Sequence, residues 1–169
     1  ELTAHHYSDA VAADPRIGSW GLYDSLYAGG SCFIKDARSL SHQLQTAGTD
    51  ATLVNETYLA NKRQLEMFIG RAEKEAGFAW GGKTVALLGV SFKRDTNDIR
   101  NSSAIDIVNF CTEHGVKRVQ IFDPAGMPMM QMMMPGGEHI VYAKSAEEAI
   151  ASEIIECISD KSLFSRHLM

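Results

Sequence analysis

The sequence predicts an α/β chain in which a helical first half is followed by a parallel sheet with helices between its strands. Three observations predict it. Thr84-Val-Ala-Leu-Leu-Gly-Val90 is a continuous apolar run introduced by Gly81-Gly82, the pattern of a strand buried on both faces. Shorter apolar runs return at Val119–Phe122, His139–Tyr142 and Ile154-Ile155, with helix-forming segments between them. Strands separated by helices require crossover connections and therefore a parallel sheet. Before residue 80 the apolar residues instead recur at helical spacing.

The elements follow in order. Residues 1–31 are rich in turn signals, Asp14-Pro15, Gly18, Gly21 and Gly29-Gly30, which predict short helical pieces broken by loops. A helix from Asp36 to about Ala47 is ended by Gly48. A longer one runs from about Leu53 to Ala76, with Tyr58, Leu65, Phe68, Ile69, Ala72 and Ala76 on one face and Gly77 as its stop. After the first strand, Ser103 and Asp106 form a capping box, Ile105, Val108 and Cys111 share a face, and Gly115 ends the helix. Asp123-Pro124 ends the second strand, and Ala146 to Ala151 forms a short helix before the fourth. The methionines between 127 and 134 read as a helical patch filling gaps against the sheet. A domain boundary near Trp80 divides the chain into 1–79 and 80–169. The start resembles the middle of a longer chain, and the last helix is expected to be cut short at Met169.

Composition narrows the function. With 45% hydrophobic and 22% charged residues, the 169-residue chain has ample material for a core. A net charge of −5 with no Lys/Arg run argues against nucleic acid, and no stretch is long and apolar enough for a membrane helix. Three cysteines, at 32, 111 and 157, fit neither a disulfide framework nor a zinc pattern, so a reducing cytoplasm is the expected setting. Cys111 and Cys157 read as core. His5-His6 has no partner at ligand spacing, and no metal is expected.

Two segments carry chemistry. In Gly29-Gly30-Ser31-Cys32-Phe33-Ile34-Lys35-Asp36 the paired glycines permit close backbone approach or positive φ. A cysteine near a helix start with Lys35 nearby is a candidate nucleophile, the alternative being a buried structural cysteine. Asp36 could hold a water. The second segment, Leu88 to Arg100, leaves the buried strand at the carboxyl edge of the sheet, where open α/β folds bind ligands. Lys93, Arg94 and Arg100 with the following helix start form a phosphate site, or else a solvated loop neutralised by Asp95 and Asp98. No G-x-G-x-x-G follows the strand, so this is not a dinucleotide fingerprint.

At these residues a resemblance becomes specific. Asp14-Pro-Arg16-Ile-Gly18, Gly29-Gly-Ser-Cys32-Phe-x-Lys35-Asp36 and Gly89-x-Ser-Phe92-Lys93-x-Asp95-Thr96-x-Asp98-x-Arg100 are similar, in order and spacing, to the UDP-glucose/GDP-mannose dehydrogenase family. Asp123-Pro124 and Glu147-Glu148-Ala149 extend the match. The resemblance implies the end of a helical central domain followed by a Rossmann-like nucleotide-sugar-binding domain, with the NAD-binding domain and the central-helix Lys and Asn absent from this chain. It implies an NAD-dependent 6-dehydrogenase that oxidises a nucleotide sugar twice at C6, in polysaccharide biosynthesis, as a homodimer or higher oligomer. Cys32 then resembles the nucleophile that carries a thiohemiacetal and a thioester, and Asp36 the carboxylate that assists hydrolysis. Cys32, Lys35 and Arg100 resemble NAD contacts. Phe92 and Lys93 resemble substrate binders, as do Arg16 and the loop from Tyr23 through Ser25 to Gly29.

The chain departs from the family where Tyr27 stands in place of a usual glycine, a change that would narrow the sugar pocket or demand another backbone path. Ile34 replaces a frequent proline, and the Thr-Glu-Trp segment is not evident at Cys157-Ile-Ser-Asp160. The Ser-Cys-Phe-x-Lys-Asp form leans toward UDP-glucose. The rival reading is a non-catalytic nucleotide-sugar-binding or assembly module of the same fold. A thiol redox protein would want a C-x-x-C that is not present.

Overall fold

A computed structural model describes residues 9–18, 27–77, 79–151 and 156–158. The first half is helical. Residues 9–12 make one helical turn, and two longer helices follow, α1 (Ser31–Thr46) and α2 (Thr52–Ala76). Helix α1 begins at Ser31, earlier than the predicted Asp36. Gly30, the residue before it, has φ 82° and ψ 173°, a backbone conformation that an L side chain resists, so the chain turns there and the helix starts at once. Helix α2 starts where the Asp50 carboxylate accepts bonds from the Thr52 amide (2.9 Å) and hydroxyl (2.6 Å). It ends at left-handed Gly77, as predicted. Leu65 and Ile69 turn toward the core, but Phe68 remains 37% exposed, contrary to expectation. Only the stripe through Leu65 and Ile69 reaches the core that the sheet shares with the helix Ser103–Glu113. The side chains of Ala72 and Ala76 lie outside the described residues.

Among the described residues the second half forms a four-stranded parallel sheet in the order β3-β2-β1-β4, with helices between its strands. Its strands are β1 (Thr84–Leu88), β2 (Arg118–Phe122), β3 (Ile140–Tyr142) and β4 (Glu156–Ile158). Helices α3 (Ser103–Glu113), α4 (Met127–Met133) and α5 (Ala146–Ile150) connect them. The register sets Leu87 opposite both Ile121 and Cys157. The predicted Ile154-Ile155 and the segments beyond 158 lie outside the described residues, as do His5-His6 and the Cys157 side chain.

Strand β1 is buried on both faces because alternate residues serve different layers. Val85 and Leu87 join one core with Ile107, Val108 and Cys111 of α3 and Val119 and Ile121 of β2. Ala86 and Leu88 face Ala143 and Ala149, the small residues that let α5 lie close to the sheet. Each large aliphatic side chain withdrawn from water here contributes about 1.5–3 kcal/mol. Cys111 is fully buried, as predicted, and burial pushes its thiol up to about 11.

Two sequence expectations are corrected. The cap of α3 is Ser102, not Ser103: its hydroxyl accepts from the Ala104 amide at 3.2 Å. That shift carries Asp106 past the position from which it could reach back to the helix start, and its carboxylate turns to other partners. The methionine segment fills gaps only in part. Met130 is fully buried and Met127 and Met134 pack on the core, whereas Met129, Met132 and Met133 are 37%, 84% and 52% exposed. A helix of only 7 residues buries one face of one turn. Among the described residues no helix is long and apolar enough to cross a membrane.

Candidate active site

The cysteine segment and the strand-end segment meet, and the paired glycines are what allow it. A Cβ on Gly29 would stand 2.5 Å from the Asn101 carbonyl oxygen and 3.2 Å from Phe92 Cβ. On Gly30 it would stand 2.7 Å from the Phe92 ring. With no Cβ in the way, the two backbones bond directly. The Gly30 amide donates to the Arg100 carbonyl at 3.1 Å, and the Asn101 side-chain amide donates to the Gly30 carbonyl at 3.1 Å. Asn101 makes this contact from a positive φ of 52°, a conformation that Asn tolerates better than most residues. The strand-end loop is in turn held by its own bonds, Phe92 amide to Asp98 carbonyl at 2.9 Å and Asp98 amide to the Thr96 hydroxyl at 3.2 Å.

This docking places the predicted residues as follows. Cys32 is an exposed free thiol in the first turn of α1, 4.0 Å from the Ser31 hydroxyl. It is therefore not the buried structural cysteine that was its alternative. Asp36 lies four residues on, on the same helix face, and pairs with Lys35 at 3.1 Å. Lys35 is raised above its ordinary value, first by its bond to Asp36 and further by the charges of Asp36 and Cys32. Arg100 is raised chiefly by Asp98, with Cys32 a smaller contributor. Cys32 follows Gly30 by two residues, and the Gly30 amide is bonded to Arg100 of the other segment.

In the cation loop, Arg94 and Arg100 have the acidic partners that the solvated-loop reading expects. Arg100 is forked onto Asp98 (2.6 and 3.0 Å), and that bond holds Asp98 below the usual carboxylate range. Arg94 lies 3.9 Å from Asp95. Among the described residues Lys93 makes no ion pair, and its ammonium stands 5.4 Å from the centre of the half-buried Phe92 ring. Arg16 is 88% exposed and paired with Asp14 at 2.6 Å; none of its described contacts joins it to the cysteine loop. Tyr23 and Ser25 lie outside the described residues.

The carboxyl edge of the sheet is fixed by a group not anticipated in that role. The buried Asp123 carboxylate accepts from the amides of Val90 (2.7 Å), Ser91 (3.3 Å), Ala125 (2.7 Å) and Gly126 (2.5 Å). Burial pushes it up, and those amides more than offset this, leaving it below its ordinary value. Its bonds tie the exit of β1 to the exit of β2. The buried Ser91 hydroxyl beside them has no hydrogen-bond partner among the described residues.

Sequence reasoning also missed a set of restraints just before the glycines. Asn61 of α2 grips Ala28 twice, accepting from its amide at 2.8 Å and donating to its carbonyl at 2.9 Å. Tyr27 is buried, its hydroxyl donating to Asp106 of α3, and Lys62 lies 3.4 Å from the same carboxylate. Burial first, then the Asp106 bond and charge, push the Tyr27 phenol far above its ordinary range. The ring is taken up beside Lys62 of α2 and Asp106 of α3. Only the departure from the family pattern marks Tyr27, local pattern marks Asp106 only as part of a helix cap, and nothing local marks Asn61. A separate open cleft of about 550 Å³ between α1 and α2, lined by Arg38, His42, Asn55 and Tyr58 among others, includes none of the predicted site residues.

Comparison with known proteins places both segments in one family. Residues 2–63 match the UDP-glucose/GDP-mannose dehydrogenase family, central domain, and residues 86–159 its UDP binding domain. The chain is 34% identical over 114 residues, 68% of its length, to a UDP-glucose 6-dehydrogenase of Pseudomonas aeruginosa. It is 37% identical over 117 residues, 69% of its length, to the YtcA protein of Bacillus subtilis, named a putative UDP-glucose 6-dehydrogenase. These matches cover 25% and 27% of the relatives' own lengths, so the chain spans about a quarter of each. A UDP-glucose dehydrogenase structure from Pyrobaculum islandicum shares the fold, with TM-score 0.81 and 24% identity over 94% of this chain and 36% of that one. With both family segments present in order, docked on each other through the glycine pair, the chain belongs to the UDP-glucose/GDP-mannose dehydrogenase family.

Proposed function

We propose that this chain forms the thiol-bearing and nucleotide-binding part of an NAD-dependent nucleotide-sugar 6-dehydrogenase, with UDP-glucose as the preferred substrate class. The observation that carries this reading is the docking of Gly30 on Arg100 and Asn101, which sets an exposed thiol beside the cation loop at the carboxyl edge of the sheet. A nucleotide sugar held by its diphosphate at Lys93, with Phe92 shaping the floor, could extend its C6 toward Cys32. Arg16 and the loop through Tyr23, Ser25 and Gly29 would complete the sugar site, with the exposed, Asp14-paired Arg16 serving a second copy in a homodimer.

The C6 alcohol loses a hydride and a proton to become an aldehyde. The Cys32 sulfur adds to the aldehyde carbon, and the oxygen takes up a proton to give a thiohemiacetal. Loss of a second hydride and a proton from that carbon leaves a thioester. Water, oriented by Asp36, attacks the thioester, and the carboxylate departs as the thiol is restored. NAD supplies the hydride acceptor. Lys35 and Arg100, exposed cations from the two segments that meet at Gly30, fit contact with an anionic cofactor.

The test is Cys32→Ser in the complete protein, followed by separate measurement of nucleotide-sugar binding and acid formation. Binding should persist and acid formation should stop, because a serine hydroxyl is a far weaker nucleophile at neutral pH. Acid production at the unsubstituted rate refutes the assignment.

A further inference from the structure

The restraints that precede the glycine pair are more numerous than a surface loop needs, and they come from both halves of the chain. Asn61 holds both backbone polar groups of Ala28, and the Tyr27 ring is 6% exposed with its hydroxyl on Asp106. Lys62 sits one residue beyond Asn61 on α2, 5.5 Å from the centre of the Tyr27 ring and 3.4 Å from Asp106 on α3. Immediately afterwards Gly30 bonds Arg100 and Asn101. Every residue from Tyr27 to Gly30 is therefore bonded or packed against α2, α3 or the loop leading into α3, and Cys32 follows at once.

We propose that Tyr27, Asp106 and Lys62 form a clasp that positions Cys32, fastening its loop to the helix that opens directly behind the cation loop. The proposal rests on the reading of Cys32 as the nucleophile. None of the three residues touches the thiol; they act through the backbone of 28–31. The physical reason is rigidity. A glycine at 27 beside Gly29 and Gly30 would leave three residues of wide backbone freedom before the helix, and ordering them costs conformational entropy. A buried tyrosine with a charged acceptor removes that freedom at its start. Asp106 contributes because it lies past the cap of α3, with its carboxylate available to Tyr27 and Lys62 rather than to the helix end.

Tyr27→Phe removes the hydroxyl and keeps the ring, and Asp106→Asn keeps an acceptor while removing its charge. In the complete protein, amide exchange over residues 28–31 should rise about tenfold in Tyr27→Phe, the size expected for one hydrogen bond to a charged group, and less in Asp106→Asn. Exchange in β1 and β2 should not change. The kcat for nucleotide-sugar oxidation should fall by a similar factor while KM moves less than about twofold, since the diphosphate contacts are untouched. Unchanged exchange at 28–31 overturns the clasp, as does a uniform rise that includes the strands. A local rise with unaltered kcat overturns its positioning role. Because exchange is read without reference to Cys32, loss of the clasp idea and loss of the nucleophile assignment give different results, the latter being decided by Cys32→Ser.

Discussion

Gly29→Ala isolates the steric part of the docking. Gly29 does not have a positive φ, so the added methyl introduces no left-handed strain. Its cost comes from space alone. The new Cβ would meet the Asn101 carbonyl oxygen at 2.5 Å, well inside ordinary contact, and Phe92 Cβ at 3.2 Å. The first obstacle is backbone and cannot rotate aside, so one segment must retreat from the other by nearly 1 Å. Overpacking of this kind costs about 1–3 kcal/mol of stability. A displacement of about 1 Å at a reacting group costs roughly 10²-fold in rate. The expected result in the complete protein is a kcat reduced about a hundredfold with a modest fall in Tm, measured by NADH formation and thermal unfolding. Gly30→Ala provides the contrast: its obstacle is the Phe92 ring, but its φ of 82° adds backbone strain. A Gly29→Ala protein with full activity and an unchanged Tm would refute the claim that close backbone docking sets the thiol.

Two further perturbations test other parts of the site. Lys93→Ala should weaken nucleotide-sugar or UDP binding by about 1–3 kcal/mol, the range for a charge-assisted bond, with unaltered affinity by calorimetry counting against a phosphate role. Asp123→Asn should destabilise the fold by about 2–4 kcal/mol at neutral pH, because four amides lose a charged acceptor. Asp123 has a depressed folded-state pKa, so its contribution is present above the ordinary carboxylate value of 3.8 and is lost as pH falls below it. The stability gap between the two proteins should therefore narrow below about pH 4, and a gap constant with pH would show that the charge is not what matters.

What the sequence made legible was whatever depends on local pattern. The run from Thr84 to Val90 names a strand buried on both faces because its neighbours above and below are both apolar, and Gly77 names a helix end because left-handed backbone suits glycine. The glycine pair before Cys32 announced a close approach. It did not say to what, because Phe92 and Asn101 lie some seventy positions later. Asp106 was misread for the same reason: judged against its neighbours it completes a cap, and judged in space it receives Tyr27 and Lys62. Phe68 and the exposed methionines show the converse error, since periodicity marks an apolar face without saying how far the opposing layer extends.

The same long-range contacts make the two family segments one mechanical unit. Gly30 is bonded on one side to Arg100 and on the other to Asn101, and the residue after Asn101, Ser102, caps α3. Asp106, in the next turn of that helix, returns to Tyr27 at the other end of the cysteine loop. The path from the cation loop through α3 to Tyr27, and back through the glycines, is therefore a closed ring of contacts. A movement of Arg100 or Asn101 on binding a phosphate must be matched at Gly30 or break a bond. On the function proposed above, substrate contact at the cation loop and placement of the thiol would thereby be coupled without a separate hinge. Binding free energy gained at a diphosphate held there would then go into orienting the sulfur, the use that raises kcat rather than merely lowering KM.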